Sequence, residues 1–268
     1  MIRHPNGNEY KVVYLDTNVI SEFVNNTKYT AKNFLERYAM GEYAFVTSVF
    51  NIYELSKTYP DFQNKMEKSF GIIPLGISIG IPEINQYEKS GVLLGNNLIT
   101  FAVGIKPLFN LNIGDLIKWF DGKLKKDVTN REGAIESEIE EWLLRRQAPK
   151  ASWQKEFDVN LLDSMNEIYR RYKSYTPIEN LGVYKSLEVA AYVKNQFIYN
   201  SSKSIERNSI LDSYNVAVAP YVDVYITEKT VGAWLVSAKE RFVYLKDVDI
   251  IKLSDLFAPE SQTFLQKH

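Results

Sequence analysis

The chain has 268 residues, 45% hydrophobic and 24% charged, an ordinary globular composition that excludes disorder and suits one large domain or a core with a sizeable insertion. Its 32 Lys and Arg against 33 Asp and Glu leave a net charge of −1, so no global basic field exists and a nucleic-acid partner would need a local patch. With no cysteine, disulfides, thiolate catalysis and cysteine-ligated zinc are excluded.

The first segment, MIRHPNGNEYK, lacks the apolar core of a signal peptide. No run approaches the roughly 18 apolar residues of a membrane span, and a cytoplasmic protein with no membrane partner is expected. The two histidines, His4 and His268, lie near the ends of the sequence, which leaves any chemistry to carboxylates and what they bind.

Val12 to Leu15 form a continuous apolar run, the signature of a strand buried on both faces, and the run stops at Asp16. A helix is expected over Val19 to Val24 and a second over Ala31 to Met40, with Gly41 as C-cap. Tyr43 to Val46 reads as a strand and Thr47-Ser48 as the N-cap of a helix reaching about Thr58, stopped by Pro60. On that helix Ile52, Leu55 and Tyr59 share one side, and Asn51, Glu54 and Thr58 share another. A short helix from Asp61 closes at Gly71. The stretch 71 to 111 mixes Gly, Pro and β-branched residues and gives no clear period.

Helical stripes return with Ile113, Leu116, Ile117, Phe120 and Leu124, then Ile135, Ile139, Trp142 and Leu143. Leu161, Leu162, Met165, Ile168 and Tyr172 make a third stripe, and Leu187, Ala190, Ala191 and Val193 a fourth. Residues 200 to 204 read as a linker. Beyond it the expectations are a helix from Asn208 to Ala219 ended by Pro220, a strand from Tyr221 to Ile226, a helix from Val231 to Lys239, and strands over Phe242 to Leu245 and Val248 to Leu253. The chain is thus α/β at both ends, and neither end holds enough strands to stand alone. Residues 1–58 and 205–268 should form one sheet-based core, with 59–204 a mostly helical insertion or cap beside the site.

Three acids stand out by position: Asp16 at a strand end, Glu54 in the helix after the next strand, and Asp212 early in the helix that feeds a later one. Taken singly, each has a plainer reading as helix cap, solvated face residue or partner of the helix dipole. Their order carries more. In VVYLDTNVISEF (12–23), FVTSVFNIYEL (45–55) and NSILDSYNVAVAPYVDVYITEK (208–229) the sequence resembles the PIN-domain nucleases. That resemblance implies a three-layer α/β/α fold with a parallel sheet. It also implies a metal-dependent endoribonuclease hydrolysing RNA phosphodiester bonds, with Mg²⁺ or Mn²⁺ held by Asp16, Glu54 and Asp212 and with Asn18 and Thr227 as polar supports. An inhibitory protein partner would follow if the chain is toxin-like. Oxygen-only ligands suit these hard cations, which would also relieve repulsion among clustered carboxylates.

The family often carries an acid two residues after the strand-end threonine, where this sequence has Lys229. Glu228 is then the accessory metal ligand expected, ahead of Asp223, which lies nearer the start of its strand and is read as structural. The substitution at Lys229 and the long stretch between Glu54 and Asp212 favour an alternative, a catalytically weak RNA- or protein-binding module on the same fold. A phosphatase using Asp16 as nucleophile fits less well, because Asn18 stands where such enzymes usually show a second Asp. Lys123-Leu124-Lys125-Lys126, Arg145-Arg146 and Arg170-Arg171-Tyr172-Lys173 could meet phosphates or lie on solvated helix faces. The 18 tyrosines could stack on bases, though core and rim packing explains most of them.

Overall fold

In the computed structural model the described residues are 2–3, 8–25, 30–57, 60–100, 112–123, 125–126, 132–147, 157–171, 176–200 and 202–256. Both histidines, Thr58, Tyr59, Leu124, Tyr172, Lys173 and residues 101–111 lie outside them.

The protein is α/β, built on a sheet whose seven strands are β1 (Ile2–Arg3), β2 (Glu9–Leu15), β3 (Tyr43–Thr47), β4 (Leu75–Ser78), β5 (Ile99–Thr100), β6 (Val224–Thr227) and β7 (Asp249–Lys252). Their order is β5-β4-β3-β2-β6-β7, with β1 paired to β2. The central five, β4 to β7 in that order, are parallel; the short β5 adds an antiparallel edge, and β1 pairs antiparallel with the start of β2.

Alternation along each strand sends side chains into two separate cores. Val12, Tyr14, Ala44, Val46 and Tyr225 enter one, while Val13, Leu15, Phe45, Leu75, Ile77, Val224 and Ile226 enter the other. The second core is closed by helices Thr17–Asn25, Ala31–Arg37, Val49–Ser56, Pro60–Phe70 and Ile113–Lys123. The first is closed by Phe157–Tyr169, Lys185–Tyr199, Arg207–Asn215 and Lys229–Ala238. Helices on both faces explain why β2 is apolar at every position from Val12 to Leu15. Registered neighbours Tyr14 and Tyr225 stack across the β2–β6 pair, ring centroids 4.6 Å apart at 9°.

Several expected elements shift. The sheet does not stop at residue 58: β4, β5 and helix Ile81–Ser90 fall in the stretch 59–204 expected as an insertion, and β4 pairs with β3. Helix Lys185–Tyr199, from the same stretch, is buried along nearly its whole length against the first core. The stretch is mostly helical, but it completes the sheet and supplies helices to both faces rather than sitting beside the core as a separate cap. Pro60 opens a helix instead of ending one, since its missing N–H would be unpaired there in any case. The helix before Gly41 ends at Arg37, with Tyr38 and not Gly41 as its cap. Phe242 to Leu245 is no strand; Val243–Leu245 is a single 3₁₀ turn. The helix expected to reach Ala219 ends at Asn215 and tightens to a 3₁₀ segment, Val216–Tyr221, that accommodates Pro220. Leu143, expected in a buried stripe, is 39% exposed.

Asp223 precedes β6 and takes a structural role, as its position suggested. Its Oδ2 accepts the Val12 amide at 2.8 Å, and its own amide donates to the Val12 carbonyl at 2.9 Å. Asp223→Ala leaves a buried strand amide without its acceptor and should cost about 1–3 kcal/mol, with Asp223→Asn costing less because an oxygen remains. Urea denaturation of the two variants checks this. Equal losses would mean that the acceptor oxygen is immaterial.

Candidate functional site

In an open parallel sheet a ligand crevice forms beyond the strands' carboxyl ends, where neighbouring strands feed connections running in opposite directions. Here that point lies between β2 and β6. The chain leaves β2 toward β3 and leaves β6 toward β7 on the other side. Asp16 follows β2, and Thr227-Glu228 end β6.

Asp16 is 4% exposed. Its Oδ1 accepts the Thr17 amide at 2.7 Å and its Oδ2 accepts the Thr227 hydroxyl at 2.8 Å. The Thr17 hydroxyl donates to Glu54 Oε2 at 2.6 Å, so one threonine joins the strand-end acid to the helix acid. Of the two residues expected as polar supports, Thr227 is thus bonded to Asp16, and Asn18 is exposed.

Beneath the acids lies a buried amide network. Ser48 caps helix Val49–Ser56 by accepting the Asn51 amide at 3.0 Å, and its hydroxyl donates to Asn215 Oδ1 at 2.7 Å. Asn215 Nδ2 donates to Asn51 Oδ1 at 2.9 Å. Asn51 Nδ2 in turn lies 2.9–3.1 Å from Thr47 Oγ1, the Leu15 carbonyl and the Tyr14 hydroxyl. This network locks helix Val49–Ser56 to helix Arg207–Asn215 across the ends of β2 and β3. Glu54 and Asp212 each sit three residues, about one helical turn, from the asparagine on their own helix. The shared i,i+3 spacing was visible in the sequence. Asn51 and Glu54, however, share the face that a surface reading assigns to solvent, and Asn51 is fully buried. Asp212 lies in the second turn of its helix, which begins at Arg207, rather than in the first.

The charges of Glu54 and Glu228 bear on Asp16 and Asp212. Burial, and then the charges of Glu54 and Glu228, push Asp16 up to about 6, against the hydroxyl of Thr227 and the amide of Thr17. Burial and the charges of Asp16, Glu228 and Glu54 hold Asp212 well above the usual carboxylate range. Burial also raises Glu54, opposed by the Thr17 hydroxyl and by Arg207 and Lys57. Those two cations flank the same ring: Lys57 Nζ lies 4.2 Å and Arg207 Cζ 5.0 Å from the centroid of Tyr53. They form a basic rim beside the acidic edge that sequence reading had not singled out.

A hard divalent cation fits this edge in donor chemistry and in charge, since the donors are oxygens and an ion would relieve their repulsion. It does not fit as closed ligand geometry. Among the described residues no group of three or more His, Cys, Asp or Glu side chains is drawn together tightly enough to hold a metal ion. Nor, among those residues, is any helix long and apolar enough to cross a membrane. No family model, curated protein or solved structure matches the chain.

Proposed function

We propose that the chain is a divalent-metal-dependent endoribonuclease with a PIN-like fold, hydrolysing RNA phosphodiester bonds at the edge between β2 and β6. The observation that carries this reading is the placement of Asp16 and Asp212, each raised by burial and by the charges of Glu54 and Glu228, where the strand connections diverge. Asp16, Glu54 and Asp212 are the proposed ligands of Mg²⁺ or Mn²⁺, with Glu228 as accessory. When bound, the ion would supply an activated water and stabilise charge on the phosphate. Thr227 and Thr17 orient the carboxylates through the hydrogen bonds described above, and Lys57 and Arg207 are placed to meet the phosphates of an incoming strand. The parallel sheet with helices on both faces supports the PIN-like assignment.

One observation favours the alternative of a catalytically weak binding module: the four acids stand apart as placed, and Lys229 is a cation where a further acid would complete the set. The deciding experiment is cleavage of end-labelled single-stranded RNA with Mn²⁺, with Mg²⁺ and with EDTA. Cleavage that needs the ion is the expected result. Binding without cleavage under both metals would move the conclusion to the binding module, and cleavage persisting in EDTA would refute the metal mechanism.

A further inference from the structure

Two basic doublets noted in the sequence, Arg145-Arg146 and Arg170-Arg171, come together in the structure. Arg146 is spent structurally, its guanidinium capping the carbonyls of Phe197, Ile198 and Asn200 at the end of helix Lys185–Tyr199. The other three arginines surround a hollow of about 550 Å³ lined by Glu141, Trp142, Arg145, Glu167, Arg170 and Arg171. Lys194 and Glu138 lie behind this lining, and the charge of Asp163 also acts on Arg145. The volume is that of a small-molecule pocket.

The internal ion pairs in the hollow are unequal. Glu167 grips Arg145 through both oxygens at 2.7 Å and Lys194 at 2.6 Å, with Lys194 itself 1% exposed. Glu138 is 2% exposed and accepts the Tyr214 hydroxyl at 2.6–2.7 Å. Glu141 differs: it is 60% exposed and holds Arg171 by one contact of 2.9 Å. An exposed single-contact pair of this kind is weak and displaceable. In addition, the indole N–H of Trp142 is buried without an acceptor. Of the carboxylates in and behind the hollow, Glu141 is the exposed and loosely held one.

We propose that this hollow is a second, anion-binding site that takes a small phosphorylated ligand of nucleotide size, its phosphoryl group displacing Glu141 to engage Arg170 and Arg171. Planar guanidiniums reaching in from the helix Glu132–Gln147 and from the turn after Phe157–Tyr169 match a phosphoryl group's several oxygens better than one carboxylate. The site is independent of the acidic edge, although Tyr214, bonded to Glu138, lies two residues from Asp212 on the same helix.

Isothermal titration in EDTA with inorganic phosphate, adenosine 5′-monophosphate and a short single-stranded RNA tests the proposal. The expected result is saturable one-to-one binding of adenosine 5′-monophosphate, weakened about tenfold or more by Arg170→Gln and unchanged by Asp16→Asn. Glu141→Gln, which removes the competing anion at an exposed position and should fold normally, is expected to tighten binding. No saturable binding of either small probe would overturn the proposal, as would affinity unmoved by both Arg170→Gln and Glu141→Gln. Binding of the RNA alone would also overturn it, making the hollow part of a strand-binding groove.

Discussion

Asp16→Asn is expected to abolish Mn²⁺-dependent RNA cleavage and, in metal-free buffer at neutral pH, to make the protein more stable. Asparagine keeps an oxygen for the Thr17 amide, and its NH₂ can face the Thr227 hydroxyl, so the local geometry survives. What is lost is a buried charge. Asp16 is raised from 3.8 to about 6, chiefly by burial and then by Glu54. A carboxyl raised on folding favours the folded state below its unfolded pKa, and that contribution disappears as pH rises through the folded value. Above about pH 6 the native protein therefore carries the cost of an ionised Asp16, on the order of 1–3 kcal/mol, and the variant does not. Urea denaturation in EDTA should show the variant more stable at about pH 7.5, with the difference gone near pH 4. Cleavage should fall by more than the roughly 10–100-fold that loss of a mere supporting partner costs. Undiminished cleavage, or a variant less stable at neutral pH, would reassign Asp16 to the plainer role of a helix cap.

The largest purely structural effect is expected at Glu167. Lys194 is among the most deeply buried charges in the described residues, and burial lowers its pKa while Glu167 pulls it back up. Glu167→Gln strands the lysine and half-frees Arg145; breaking a fully buried pair from one side costs about 3–5 kcal/mol, and the 37% exposure of Glu167 sets the loss here toward or below the lower end. Lys194→Met removes the buried charge itself and leaves Glu167 paired with Arg145, so it should cost clearly less. Guanidinium denaturation of the two variants measures the contrast. Equal and small effects would show that water reaches the pair and that it holds the helices together only weakly.

What could be read from the sequence follows from how each signal arises. β2 was legible because helices cover both faces of the sheet, which makes its inner half apolar at every position. β4 was not: Leu75, Ile77, Ile79 and Ile81 do alternate, but Pro74, Gly76, Gly80 and Pro82 among them read as turn residues and masked the strand. That gap led to the expectation of a separate insertion, since without β4 the sheet seems to end at β3. Asp16, Glu54 and Asp212 were singled out by their order along the chain and by resemblance. The roles of Thr17, Asn51 and Asn215 were not, because each works through a partner far away in the chain, as in the bond between Asn215 and Asn51. The convergence of Arg145 with Arg170 and Arg171 was hidden for the same reason. Each doublet reads alone as a solvated helix face, and only the packing of their helices creates the hollow.

The claim on which the account rests is that the four acids at the β2–β6 edge form a cation site once the ion is present. Anomalous scattering from crystals grown with Mn²⁺ tests it most directly. The account predicts an ion at that edge whose inner shell, at about 2.1 Å, is made of oxygens of Asp16, Glu54 and Asp212 and of retained waters that these carboxylates hold. Mn²⁺ absent from the edge at saturating concentration, with the carboxylates still apart as they stand in this structure, would contradict it.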